Sequence, residues 1–199
     1  EFSSRANKKG QFLNWVNLPQ EQAKRVDEIY ELAANLKAQT GAKKLSVMGI
    51  GGSKHTVEHM LSINGLNVKQ DYVEFYSDVD SASLERFLYR LENNVLESNF
   101  MIASKSGSTF ETKDGFLRVL QMLKDAYTAQ GKSAEEADKA AHKHFIAVTD
   151  ANAEKSELRR TSIEKGWLGD LFIHDDVGGR FSAFDDHALF TLAYAGMKK

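Results

Sequence analysis

Five short apolar runs, each followed by a stretch of helical periodicity, are the feature that most narrows what this chain can fold into. The runs cover residues 45–48, 72–76, 99–103, 145–148 and 171–173. Before the first of them, Val26, Ile29, Tyr30, Ala33 and Leu36 recur at helical spacing. They belong to a helix expected to begin near Pro19, which suits a first turn, and to stop at Gly41. Further helices are expected over 55–63, 81–91, 133–143, 158–165 and 185–197, the last with no cap before the chain ends. A long helix after the third run should place Phe116, Leu117, Leu120 and Leu123 on one face. Strands that alternate with helices need crossover connections, so the pattern calls for a parallel sheet with helices on both faces. The expected architecture is α/β, doubly wound and flavodoxin-like, with five parallel strands. In such sheets ligands bind at the carboxyl ends of the strands, so the loops after the strands are where chemistry is to be sought.

The chain's 199 residues suffice for one such domain over 18–199, preceded by a polar, unpatterned arm over 1–17. Twenty-six basic and 28 acidic residues give a net charge of −2, which argues against a nucleic-acid partner. Cysteine is absent, so this stretch can form neither disulfides nor thiolate metal sites. No apolar run approaches the ~18 residues of a membrane span. A soluble, cytoplasmic protein is the expectation.

Three loops stand out. After the first strand comes Gly49-Ile50-Gly51-Gly52-Ser53. Its glycines allow close approach of a ligand to consecutive N–H groups at a helix start, an arrangement suited to anions, although a tight turn with a serine cap reads equally well. It lacks both the Walker ending and the dinucleotide spacing. After the third strand, Ser104-Lys105-Ser106-Gly107-Ser108-Thr109-Phe110-Glu111-Thr112 holds five hydroxyl residues in nine positions. A helix cap needs one hydroxyl. Five of them at a helix N-terminus point to a metal-free grip on a phosphate monoester rather than to a capping box. After the fifth strand, Asp176-Val177-Gly178-Gly179-Arg180-Phe181-Ser182 presents an arginine in a double-glycine turn. That arginine suits an anionic substrate or a developing oxyanion, or else caps a carboxylate such as Asp176.

Around the arginine loop, His174-Asp175-Asp176 and Asp185-Asp186-His187 are near mirror images. Histidine and carboxylate can hold zinc or manganese, but the spacing matches no metal motif, and no metal is expected. Asp185 and Asp186 suit the first turn of the last helix. His142 and His144 are read as surface residues, and Glu135, Glu136 and Asp138 as a solvated helix face.

In this order, the three loops resemble the signature segments of the glucose-6-phosphate isomerase family. Ala147-Val148-Thr149-Asp150, with Ser156 and Leu158, resembles its fourth strand and following loop. The resemblance covers roughly residues 45–196 and implies an amino-terminal sugar isomerase (SIS) domain. Gly52, Ser53, Ser104, Lys105 (through its backbone), Ser106, Thr109 and Gly179 would then hold the sugar phosphate. Arg180 would stabilise the cis-enediolate of an aldose–ketose interchange between glucose 6-phosphate and fructose 6-phosphate, with Glu111 beside the reacting carbons. The family uses no cofactor, serves glycolysis and gluconeogenesis, and forms homodimers. Its glutamate base, ring-opening histidine and lysine lie further along than this chain extends, so a second SIS domain is expected to follow. A non-catalytic sugar-phosphate-binding module, or an isomerase of another sugar phosphate, would use the same loops. Two departures stand out. After Ser53, His55 and Thr56 replace a leucine and a glycine. After Ser182, Asp185-Asp186-His187 interrupts an apolar run.

Overall fold

The five apolar runs form β1 (Lys44–Met48), β2 (Val73–Tyr76), β3 (Ser98–Ala103), β4 (Phe145–Thr149) and β5 (Leu171–Phe172). The computed structural model describes residues 13–49, 53–63, 73–77, 80–169 and 171–198. Every strand pair is parallel, in the order β2-β1-β3-β4-β5. This is the flavodoxin-like order, whose switch point lies between β1 and β3. The helices are α1 (Leu18–Gln22), α2 (Val26–Thr40), α3 (Ser53–Ile63), α4 (Ser81–Leu91), α5 (Phe110–Ala129), α6 (Ala134–His142), α7 (Glu157–Glu164) and α8 (Asp186–Tyr194).

Successive strand side chains point to opposite faces and divide the core in two. Leu45, Val47, Met101, Ile146 and Val148 face α2, α3 and α8, meeting Ile29, Leu36, Leu61, Phe190 and Tyr194. Met48, Phe100, Ile102, Phe145 and Ala147 face the other way, against Leu84 and Phe87 of α4, Phe116, Val119 and Leu123 of α5, and Trp167. Both faces of the sheet are therefore covered, as its near-continuous apolar strands require.

Several expectations need correction. The helix expected from Pro19 breaks into α1 and α2 at 23–25, where Lys24 N and Arg25 N bond three residues back to Glu21 O and Gln22 O. The break turns Gln22 and Arg25 onto the buried carboxylate of Asp186 (2.5 and 2.7 Å). On α5 the buried stripe is Thr112, Phe116, Val119 and Leu123, while Leu117 is 49% exposed because it lies about 100° round from Phe116. His142 and His144 are buried rather than superficial. His144 bridges Ser98 O (2.8 Å) and Tyr127 Oη (2.7 Å), and His142 Nδ1 accepts from Trp167 Nε1 (3.0 Å). Histidines flanked by charge read as surface residues, yet here each ring has a polar partner waiting inside. Burial pushes both below the ordinary imidazole value. The last helix does have a cap. Gly196 takes φ 91°, its N–H bonds Ala193 O, and Met197 N bonds Leu192 O, which together make a Schellman closure. Glu135 and Glu136 are exposed as expected, and Glu136 completes a capping box with Ser133.

Candidate functional site

The carboxyl ends of β1, β3, β4 and β5 surround a cavity of about 230 Å³. Its lining is mixed: Val47, Val57, Phe75, Val148, Ile173 and Val177 are apolar, and Lys54, Ser104, Lys105, Thr109, Ser182, Asp185, His187 and Thr191 are polar. Apolar side chains with convergent polar groups are the usual composition of a small-molecule site. At the switch point, a Cβ on Gly49 would fall 2.8 Å from Ala103 O, so only glycine lets the end of β1 lie this close to β3.

The serine-rich loop joins β3 to α5, a 20-residue helix whose N-terminus faces the cavity mouth. Four of its five hydroxyls pair with one another, and the buried Oγ1 of Thr112 has no partner among the described residues. Ser104 Oγ lies 3.1 Å from Thr109 Oγ1 and accepts from Gly107 N (3.1 Å). Ser106 Oγ lies 2.7 Å from Ser108 Oγ and accepts from Ser108 N (3.2 Å). Thr109 is the N-cap residue, but its side chain makes no cap bond. The loop is pinned from outside as well. Lys105 O accepts from Asp150 N (3.2 Å) and Thr149 Oγ1 (3.0 Å), and Ser106 O accepts from Glu157 N (3.0 Å). Thr149 is itself tied to Ser156 Oγ (2.6 Å), the cap of α7. Gly107 adopts φ 76°, and a Cβ there would fall 2.4 Å from Leu158 N. The loop is therefore pre-formed. Its hydroxyls and the first N–H groups of α5 can turn to an anion without rebuilding the backbone.

The sequence-derived site residues fall into two groups. Ser104, Lys105 and Thr109 line the cavity. Ser106 is an exposed member of the same loop, and Glu111, in the first turn of α5, is half-buried outside the cavity wall. Gly52 lies outside the described residues, as does the side chain of Ser53, which opens α3. Gly179 and Arg180 form a 3₁₀ turn on the other side of the β5 loop. Arg180 is exposed and lines an adjoining groove with Leu13, Trp15, Val16, Pro19, Phe181, Ala183 and Phe184. That groove is held by the chain's early residues. Leu13 pairs with Val177, Asn14 N bonds Asp176 O (3.2 Å), and Trp15 stacks on Phe181 at 5.1 Å. Trp15, Phe181 and Phe184 nonetheless stay 38–53% exposed. The Lys105 ammonium reaches across to Asp175 Oδ1 (2.8 Å), which raises it above the ordinary lysine value.

The His174, Asp185 and Asp186 ligand atoms lie within 4.8 Å of one another, the spacing a cation would need. Both oxygens of Asp186 and Oδ1 of Asp185 are already engaged. Asp186 Oδ1 accepts from Gln22 and Arg25 (2.5 and 3.0 Å), and Oδ2 accepts from Arg25 and from Phe172 N (2.7 and 2.8 Å). Asp185 Oδ1 accepts from His174 Nδ1 (2.5 Å) and Asp186 N (2.9 Å). The bond to Asp185 raises the His174 imidazole above its ordinary value. The cluster ties α1, α2, β5 and α8 together.

Sequence reasoning passed over Lys54 and Thr191, and weighed His187 only as a metal ligand. Lys54 directly follows the glycine loop, and its position in the first turn of α3 was the available signal. His187 and Thr191 are one helical turn apart on α8, a spacing that places both on one face.

Comparison with known proteins adds to this geometry. The family model described as phosphoglucose isomerase matches residues 16–196. A glucose-6-phosphate isomerase of Mycoplasmopsis pulmonis is 30% identical over 192 residues, covering 94% of this chain and 42% of that protein. One from Clostridioides difficile is 33% identical over 198 residues, covering 94% and 40%. A crystal structure of a hypothetical protein from Thermus thermophilus superposes with a TM-score of 0.76 at 25% identity, covering 98% of this chain and 42% of that one. The chain thus spans about two fifths of the length of these relatives.

Proposed function

The chain belongs to the phosphoglucose isomerase family, and we propose that it supplies the phosphate grip of a glucose-6-phosphate isomerase. The observation that carries this reading is the pre-formed hydroxyl loop of Ser104, Ser106, Ser108 and Thr109 at the N-terminus of α5, opening on the cavity. A phosphate monoester there would accept from these hydroxyls and from the backbone of Lys105, and, as the family resemblance implies, from Gly52 and Ser53. It would also sit on the positive end of the α5 dipole.

The reaction moves a proton between adjacent carbons of the open-chain sugar, through a cis-enediolate whose negative charge needs a fixed cation. Arg180 is suited to that part. It is held in the Gly179–Phe181 turn, and its guanidinium is exposed on the groove beside the cavity. Glu111 is placed near the reacting end. The base and the ring-opening acid are assigned to a second SIS domain, and the exposed apolar groove of Trp15, Phe181 and Phe184 supports a covering surface at that position. A cytoplasmic homodimer is the assembly this reading implies. Among the described residues no helix is long and apolar enough to cross a membrane.

Calorimetric titration of the chain with fructose 6-phosphate tests the grip. Saturable binding is expected, lost in the Ser104→Ala/Thr109→Ala double variant and little changed in Arg180→Ala. Equal binding by the double variant would remove the hydroxyl loop from the site. The hydroxyl loop, whose pairing needs no residue from elsewhere, also suits a second reading, a sugar-phosphate-binding module without turnover. Isomerisation of glucose 6-phosphate by the protein from its source would exclude that module.

A further inference from the structure

Sealed behind the wall of the cavity, one polar atom has no hydrogen-bond partner among the described residues. His187, the second residue of α8, is only 6% exposed and lines the cavity with Ser104, Lys105 and Thr109, yet its Nε2 bonds to nothing. Its polar neighbours are already committed. Asp185 holds His174 and caps α8, Asp186 holds Gln22, Arg25 and the Phe172 amide, and the Thr191 hydroxyl donates to the His187 carbonyl at 2.7 Å. Burial pushes the imidazole below its ordinary value against the opposing pull of Asp185 and Asp186, so the ring is neutral near pH 7. A neutral ring offers one donor and one acceptor, the match for a hydroxyl group rather than for an anion. Leaving such an atom unpaired costs stability, and buried polar atoms without partners in native proteins call for an explanation.

We propose that His187, by a turn of its ring that brings Nε2 to the cavity, is a specificity contact for a hydroxyl of the ligand whose phosphate is held by the serine loop. The inference rests on the sugar-phosphate reading of the cavity and adds to it a polar contact from α8. The ligand class is a phosphorylated polyhydroxy chain short enough for a cavity of about 230 Å³. Its phosphate lies at the α5 N-terminus, and one of its hydroxyls lies against α8.

The test uses calorimetry on the chain and its His187→Val and His187→Asn variants. The ligands are inorganic phosphate, fructose 6-phosphate and analogues of fructose 6-phosphate each lacking one hydroxyl. Phosphate should bind all three proteins within about twofold. Fructose 6-phosphate should bind His187→Val about tenfold more weakly, with partial recovery in His187→Asn, which restores a donor and an acceptor. One deoxy analogue should bind wild type and His187→Val alike, identifying the hydroxyl concerned. Without ligand, His187→Val should melt no lower than wild type, since it removes an unpaired polar atom. Equal affinity of wild type and His187→Val for fructose 6-phosphate would overturn the inference alone and assign the free nitrogen to a water. Failure of wild type to bind either phosphate or fructose 6-phosphate would overturn the reading of the cavity as well.

Discussion

Replacing Gly107 by alanine should damage this protein in a way that the equally left-handed Gly131 does not. Gly107 has φ 76° and Gly131 has φ 89°, so both substitutions force an L side chain into the left-handed region, at roughly 1–2 kcal/mol each. Their surroundings differ. An alanine methyl at 131 meets nothing within 4 Å, whereas at 107 it falls 2.4 Å from Leu158 N, 2.7 Å from its Cβ and 3.0 Å from its Cα. These are first-turn atoms of α7 and cannot easily move. Glu157 N is bonded to Ser106 O at 3.0 Å, and Ser156 Oγ both caps Arg159 N (3.1 Å) and holds Thr149 (2.6 Å). Overpacking of this kind adds about 1–3 kcal/mol. At about 2–4 °C per kcal/mol for a chain of this size, Gly107→Ala should melt roughly 2–12 °C below Gly131→Ala. It should also lose fructose 6-phosphate binding, because the clash can be relieved only by lifting the serine loop off α7. Thermal denaturation of the two variants side by side, with a titration of each, is the measurement. Melting points within about a degree of each other would refute the claim that the loop's shape is fixed by this contact.

Two further outcomes follow from the same geometry. Asp186→Ala takes one acceptor from the Arg25 guanidinium, which keeps Glu28, and removes the acceptor of the Phe172 amide. It should cost about 3 kcal/mol, the low end for a broken buried pair because Arg25 stays 23% exposed and keeps its second carboxylate, read as a lowered urea midpoint with an unchanged slope. Stability should also depend on pH through the histidines. His142, His144 and His187 are pushed below 6.5 by burial, so the unfolded chain takes up their protons first. Their contribution is complete above pH 6.5 and is lost as the pH falls. His174 is raised above 6.5 by Asp185, so its contribution is complete below 6.5 and fades as the pH climbs through its folded value. Urea midpoints should therefore rise from pH 5 towards neutrality, and His174→Gln should remove the decline on the alkaline side. A flat profile between pH 5 and 6.5 would contradict the burial of the three neutral rings.

The parts of the fold that were legible in the sequence are those set by short-range patterns. The strands carried unbroken apolar residues such as Phe145-Ile146-Ala147-Val148, and all four of these are fully buried. The serine loop was legible because its hydroxyls are consecutive in the chain. What was not legible depends on contacts distant in sequence. The break before α2 exists because Gln22 and Arg25 turn to a carboxylate 161 or more positions away. His144 is buried because Ser98 O and Tyr127 Oη meet it there, 46 and 17 positions off. Arg180 was assigned to the reacting end on the strength of a resemblance, and no short-range pattern could say that it opens on the groove beside the cavity, where Leu13 pairs with Val177 and Trp15 stacks on Phe181.

The start of α8 shows why the polar interruption after Ser182 could not be interpreted residue by residue. Three consecutive positions at a helix start point about 100° apart, so Asp185, Asp186 and His187 meet three different surroundings. Asp185 caps the helix and orients His174, and Asp186 is consumed by Arg25 and Gln22. Only His187 is left with a nitrogen to spare, and it lines the cavity. Read as a string, Asp-Asp-His suggests a metal site. Read in place, the two carboxylates fix the helix that carries the imidazole, and the binding wall gains its one unspent polar atom from that rigidity. It follows that Asp186→Ala should loosen the ligand through His187 as well as destabilise the fold. The loss of affinity in Asp186→Ala/His187→Val should then be smaller than the two single losses multiplied together.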